Sequence, residues 1–292
     1  MAEVSTTLYG EHGTTRLLAG EELQKPCLLP YPSRRSEGGL RTKGHHKQSF
    51  GDKPLISIVT VVLNGENDIE EAIRSVVNQA YENVEYIIID GGSNDGTLNV
   101  IKKYEYAIDY WVSEPDNGIY DAMNKGVEAA SGEWLQFLGS GDCIYSRDTL
   151  STLFDNFDSK CKLLYGDIIY SDGRVFRSRF GRLMLFRNAI HHQAAFYNKE
   201  LFRNFRYDTS NRILSDYELN LRLYRSRIEN ERIDRIIAIC DKEGVSRKLL
   251  FSGYKEEIRI RNRYVNNPVL LLMLNIQTIL RFILKRFVHL LR

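Results

Sequence analysis

Ile87-Ile88-Ile89-Asp90-Gly91-Gly92-Ser93-Asn94-Asp95-Gly96-Thr97 is an apolar run that ends on a carboxylate and breaks into small residues. A buried strand leaving a sheet has this form, and it presents its acid at the carboxyl edge. Phe137-Leu138-Gly139-Ser140-Gly141-Asp142 repeats the pattern about fifty residues on. Upstream, the β-branched run Leu55 to Leu63 suits a fully buried parallel strand. Residues 67–80 follow with Ile69, Ala72, Ile73, Val76 and Val77 at helical spacing. Strands are predicted at 85–89, 110–112 and 134–138, and helices at 97–104 and 119–131. The alternation predicts an α/β fold with a doubly wound, mostly parallel sheet.

The second half reads as mixed. Leu163–Tyr170 and Arg174–Ser178 form a predicted hairpin around Asp172-Gly173. A helix is expected over 214–228, with Ser215 as N-cap and Glu218 three residues on. The chain divides into a flexible extension at 1–53, a catalytic-type domain at 54–250 and a basic helical tail at 251–292. In that tail Asn275, Thr278, Arg281, Lys285, His289 and Arg292 fall on one helix side. Ile276, Ile279, Leu280, Ile283, Phe287, Leu290 and Leu291 cover the other. Polar residues within the apolar stretch make a bilayer span costly, so an in-plane interfacial helix at 267–292 is expected. Packing on the protein's own core is the alternative.

The net charge of +2 hides an asymmetry. Residues 54–246 carry 22 basic against 30 acidic side chains, residues 247–292 carry 10 against 2, and residues 1–53 carry 8 against 6. An acidic body argues against nucleic-acid binding; a basic tail favours an anionic surface. Cys27, Cys143, Cys161 and Cys240 form no close pair, so neither zinc nor a disulfide framework is signalled and a reducing cytosol is the default. The first thirty residues hold no apolar leader, and the His45-His46 pair reads as solvated.

Asp142, in a Ser-Gly-Asp turn, suits a hard divalent cation, since magnesium and manganese accept one carboxylate plus diphosphate oxygens. The alternative is an Asx turn. Asp90 is placed to meet a base or ribose; Asp95 sits where helix capping competes with binding. Lys125 can offset diphosphate charge or be a solvated helical lysine. Asp216, at a helix start, is kept ionised by the dipole and can act as a general base, or simply cap. His192-Gln193 can line an acceptor pocket or touch a leaving diphosphate, or the histidine can be a satisfied structural one. His191 and His192 would point opposite ways on a strand, so at most one faces the site.

Together these residues resemble the family 2 glycosyltransferases of GT-A fold, nearest to bacterial colanic-acid and exopolysaccharide transferases. The resemblance rests on Val59-Thr60-Val61 leading to Asn64, on Asp90 to Thr97, and on Ser113-Glu-Pro-Asp-Asn-Gly-Ile-Tyr-Asp-Ala-Met-Asn-Lys-Gly126. Ser140-Gly-Asp142, His192-Gln193 and Ser215-Asp216-Tyr217-Glu218 follow in family order. It covers about residues 54–250. It implies an inverting transferase using a nucleoside-diphosphate sugar and a divalent cation (Mn2+ or Mg2+), with Asn64, Asp90, Asp95, Lys125 and Asp142 at the donor. Asp142 would hold the metal and Asp216 would deprotonate the acceptor. One departure stands out: the family's Asp-x-Asp is reduced here to Ser140-Gly141-Asp142. The expectation is a transferase on the cytoplasmic face of the membrane, acting on a lipid-linked saccharide in surface polysaccharide synthesis. A nucleotidyltransferase and a catalytically silent sugar-nucleotide-binding scaffold are the rivals. The first would show a basic Gly-rich loop where Leu63-Asn64-Gly65-Glu66-Asn67-Asp68 stands.

Overall fold

The computed structural model describes residues 36–50, 53–155, 157–241 and 251–290. Residues 1–35, including Cys27 and most of the extension, lie outside the described residues, as does the domain boundary expected near residue 250.

The described elements run β1 (Ser36–Gly38), β2 (Ile56–Val62), α1 (Ile69–Val77), β3 (Val84–Asp90), α2 (Thr97–Lys103), β4 (Tyr110–Ser113), α3 (Ile119–Ala129) and β5 (Trp134–Gly139). They continue with β6 (Cys143–Ile144), α4 (Thr149–Phe154), β7 (Leu163–Tyr170), β8 (Val175–Phe176), β9 (Ala195–Asn198), α5 (Ser215–Arg225), β10 (Asn230–Cys240), α6 (Phe251–Tyr264) and α7 (Pro268–Leu290). The strands make one sheet in the order β1-β4-β3-β2-β5-β9-β7-β10-β6, with β8 paired to β7. The run β4-β3-β2-β5 is parallel, and β9 then joins β5 to β7 antiparallel to both. This is the GT-A arrangement expected from the sequence, parallel in the first half and mixed in the second.

Alternation along the strands fills both faces. Ile87 and Ile89 pack with α3 and α5 on one side, while Tyr86 and Ile88 pack with α1, α2 and α4 on the other. With both faces covered by helices, the free edge that matters is the carboxyl end of β2 to β5. Four loops gather there.

Docked structure begins earlier than composition implies. Ser36–Gly38 adds an antiparallel edge strand to β4. Arg41 then reaches the fully buried Glu85 of β3, which also accepts from Ser57 and Ser131. Burial opposes ionisation of Glu85, but Arg41 and the two serines hold its carboxyl below the usual range. Lys47 pairs with Asp109 at 2.9 Å. A stretch with no hydrophobic period is thus docked by charge.

Ser215 also departs from expectation. It is the first helical residue of α5, the N-cap position falls to Leu214, and no side chain caps there. The Ser215 hydroxyl instead accepts from the Asp208 amide at 2.8 Å. Glu218 turns away from the helix start to meet Arg263 and Tyr264 of α6, each at 3.1 Å.

Candidate active site

At the end of β3, Asp90 is fully buried. Its carboxylate accepts from the Gly92 and Ser93 amides (3.2 and 3.1 Å), from the Ser93 hydroxyl and from the Ser113 hydroxyl at 2.6 Å. Gly92 takes a positive φ of 86°, which closes this turn around the acid without a Cβ penalty. Asp90 therefore organises its own loop, and a ligand reaches it only when a serine hydroxyl rotates away.

Asn64 and Asp95 stitch neighbouring loops. The Asn64 amide donates to Ser93 Oγ at 2.7 Å, and its side-chain oxygen accepts from the Asn94 amide at 3.0 Å. Asp95 accepts from the Thr97 hydroxyl and amide and from the Glu66 amide, and the Thr97 hydroxyl foremost holds its carboxyl below the usual range. Lys125 is buried, with its ammonium 2.9 Å from Glu114 and 3.0 Å from the Pro115 carbonyl. Its charge is matched by an acid of the segment that leads into its own helix. Asp116, which sequence reading passed over, faces Gly91 and is half-buried; desolvation pushes its carboxyl up despite the Gly118 amide it accepts from.

Across β2, Asp142 closes the turn after β5. Its amide donates to the Gly139 carbonyl at 3.1 Å, and a Cβ on Gly139 would lie 2.6 Å from Asp142 Oδ2. Gln193 Nε2 donates to that same oxygen at 2.7 Å, and the Asp241 amide to Oδ1 at 3.2 Å. A carboxylate has about four acceptor positions, so Asp142 Oδ1 keeps one open. The turn fits a cation carrying one protein carboxylate, with diphosphate and water completing the shell. Among the described residues no cluster of three or more His, Cys, Asp or Glu is poised for a metal.

Asp216 is buried near the start of α5. Its Oδ2 accepts from Asn188 Nδ2 at 2.9 Å and lies 3.2 Å from His192 Nδ1. Oδ1 accepts from the Tyr217 amide at 2.9 Å and lies 3.1 Å from the Tyr120 hydroxyl. Burial works against its charge, but the His192 hydrogen bond and the two histidines' fields bring its carboxyl below the usual range. Tyr120 has one hydroxyl proton and a nearer acceptor, the Ile213 carbonyl at 2.7 Å. The phenol oxygen is within reach of both acceptors, and Asp216 Oδ1 lacks its donation whenever the proton goes to Ile213. Burial, and next the Asp216 charge, push the Tyr120 phenol well above its ordinary range, so it stays protonated.

The histidine pair corrects the sequence reading. His192–Ala194 is a short 3-10 turn, not a strand, and the two rings stack 5.7 Å apart instead of pointing opposite ways. His191 Nδ1 meets Gln193 Oε1, and desolvation, with the neighbouring His192, pushes its ring down to about 4. Residues 191–193 thus bridge the two acids: His192 to Asp216, Gln193 to Asp142. The structure gathers Asp142, His192, Gln193 and Asp216 in one place; Asn64 and Asp95 lie in loops that meet at the end of β3, where Asp90 stands, and Lys125 lies on α3. Asn188 left no signal in the sequence; Tyr120 lay inside a quoted motif but read only as a helix start.

The model of glycosyl transferase family 2 matches residues 57–229. A PGL/p-HBAD biosynthesis glycosyltransferase of Mycobacterium bovis BCG is 34% identical over 182 residues, covering 59% of this chain and 70% of the relative. A Mycobacterium tuberculosis protein named only as an uncharacterized glycosyltransferase is 33% identical over 181 residues, 58% of this chain and 68% of its own. Among solved structures, S. aureus TarS 1–349 superposes with a TM-score of 0.61 at 17% identity, covering 77% of this chain and 70% of that one. The Pyrobaculum calidifontis mannosyltransferase PcManGT, solved with GDP-Man and Mn2+, gives 0.57 at 15% identity, covering 79% and 70%. The chain belongs to glycosyl transferase family 2 and is a glycosyltransferase.

Proposed function

We propose that this glycosyltransferase works by inversion, moving a sugar from a nucleoside diphosphate to the hydroxyl of a lipid-linked saccharide in surface polysaccharide synthesis. The observation that carries the reading is the 191–193 bridge between Asp142 and Asp216. It links a diphosphate-side acid and a base-side acid through one short turn.

Asp216, ionised under the influence of His192, takes the acceptor's hydroxyl proton on Oδ1. The freed oxygen attacks the anomeric carbon in line, forming the new glycosidic bond as the bond to the diphosphate breaks. A single displacement inverts the centre. Asp142 would hold a divalent cation which, when bound, offsets the charge of the diphosphate. The segments holding Asn64, Asp90 and Asp95, with Lys125 of α3, line the donor side, with Asp90 reaching the base once Ser93 or Ser113 turns aside.

The membrane contact rests on α7. Pro268–Phe287 is long and apolar enough to cross a bilayer. Part of its polar side is turned inward: Thr278 is fully buried between Arg261 and Glu257 of α6, and Arg281 also reaches Glu257, while Lys285 stays exposed. Its exposed side carries Leu272, Met273, Ile276, Leu280, Leu284 and Phe287. A helix packed for water has the opposite orientation. Such a contiguous apolar face suits the acyl region of the cytoplasmic leaflet, with the basic residues of the tail near its headgroups.

The test is a calorimetric donor screen with UDP-, GDP-, dTDP- and CMP-sugars, with and without manganese, alone and on phosphatidylglycerol vesicles. Manganese-dependent binding of one donor is expected. No binding under any condition would sink the reading in favour of a silent scaffold.

A further inference from the structure

Glu256 and Glu257 are adjacent buried carboxylates on α6 that face different partners. Glu257 meets Arg261, Thr278 and Arg281 and so fastens α7. Glu256 points to the catalytic side. Its Oε1 accepts from the Arg212 amide at 2.9 Å, and its Oε2 from the Ile213 and Leu214 amides, each at 3.0 Å. Three successive amides converging on one carboxylate form an anion nest, filled here by the protein itself. It sits directly before α5, whose N-cap residue Leu214 has no side chain that could cap.

The peptide held in this way carries the Ile213 carbonyl, the nearer acceptor for Tyr120. Tyr120 can give its proton either to Ile213 or to Asp216, not to both. Fixing Ile213 directs the phenol away from Asp216 Oδ1. Releasing it would turn the phenol onto the carboxylate, which takes up the lone pair and weakens the base.

We infer that Glu256 is a positioning residue that, by clamping the 212–214 amides, keeps Tyr120 on Ile213 and Asp216 Oδ1 open for the acceptor. The inference rests on the proposed role of Asp216 as base. Further contacts between α6 and the 208–218 segment, Arg263 to Asp208 and Tyr264 to Glu218, are independent of Glu256 and keep the helix docked without it.

The test uses the full chain with Glu256→Gln, which retains one acceptor but sets an NH2 against the amide donors. Amide exchange by mass spectrometry should be about tenfold faster or more over 212–214, a loss of one or more charge-assisted bonds, with helix protection elsewhere intact. Unchanged protection there overturns the clamp. Nucleoside diphosphate release from UDP- and GDP-sugars should fall by about 10- to 100-fold in kcat with donor KM unchanged. Adding Tyr120→Phe to Glu256→Gln should restore turnover, because the phenol that would obstruct Asp216 is gone; a merely structural glutamate gives no such rescue, and its absence overturns the inference. If Glu256→Gln does not fold, Glu256→Asp, too short to span all three amides, takes its place. Asp216→Asn run alongside separates the two failures: full turnover in that variant removes the base reading itself, and the inference with it.

Discussion

Asp90 and Asp216 are both buried acids at the rim of one sheet, yet they are held in different ways. Every donor to Asp90 comes from its own loop or the next strand, at most 23 residues away. Asp216 is approached by Tyr120 from 96 residues away, Asn188 from 28 and His192 from 24. A carboxylate saturated by local amides and hydroxyls is a piece of architecture. One held by distant partners, with a histidine beside it and a tyrosine shared with a second acceptor, is placed by the tertiary fold.

Substitutions should separate the two acids. Asp216→Asn is expected to cost the most, about 10²- to 10⁴-fold in transfer, the range of a lost general base. Donor affinity should stay intact; weakened donor binding, measured by calorimetry, would place Asp216 on the donor instead. Asp142→Ala should lower manganese-dependent donor affinity by about tenfold or more, a loss of more than about 1.4 kcal/mol. Equal titrations with and without the substitution would remove Asp142 from the metal. Asp90→Asn should act on folding first, destabilising by about 1–3 kcal/mol because buried donors lose their acceptor. A urea midpoint matching the parent would show that Asp90 is not architectural.

The smallest effect concerns pH. The folded-state carboxyl of Asp216 is depressed, so its ionisation contributes stability that is complete above the unfolded carboxylate range and disappears as pH falls through the folded value. His192→Gln removes the main support for that depression. The acid limb of the turnover profile should move to higher pH, and the Asp216 contribution to stability should shrink. An acid limb that stays in place would mean that His192 does not set the ionisation of Asp216. The apolar face of α7 has its own probe. Leu280→Glu with Leu284→Glu should release the protein from phosphatidylglycerol vesicles in a flotation assay while leaving donor binding unchanged. Deleting the helix would be a poorer test, because Arg261 is buried against Thr278 and the Leu274 carbonyl. Undiminished flotation would turn that face over to a protein partner.

Much of the first half was legible in the chain. Strands ending at Asp90 and Gly139, and helices starting at Thr97 and Ile119, follow from apolar period and Gly-rich stops. Those signals are local, and a parallel α/β sheet is built of local repeats. The second half was harder to read. β9 is four residues long and owes its place between β5 and β7 to pairing on both sides. The docking of residues 36–50 escaped composition because it depends on Arg41 meeting Glu85, a pair 44 residues apart.

The sequence by itself determined the fold class, the family, and which acids stand at strand ends and helix starts, since each of these is encoded within a few residues of chain. The tertiary structure decided what the acids do to one another. Gln193 ties Asp142 to the turn that carries His192, Tyr120 stands between Asp216 and the Ile213 carbonyl, and α7 presents its aliphatic side outward. Each of those outcomes rests on the distance between groups remote in sequence. Hydrogen bonds and charges act over a few ångströms in space, and the order of residues along the chain does not specify that distance.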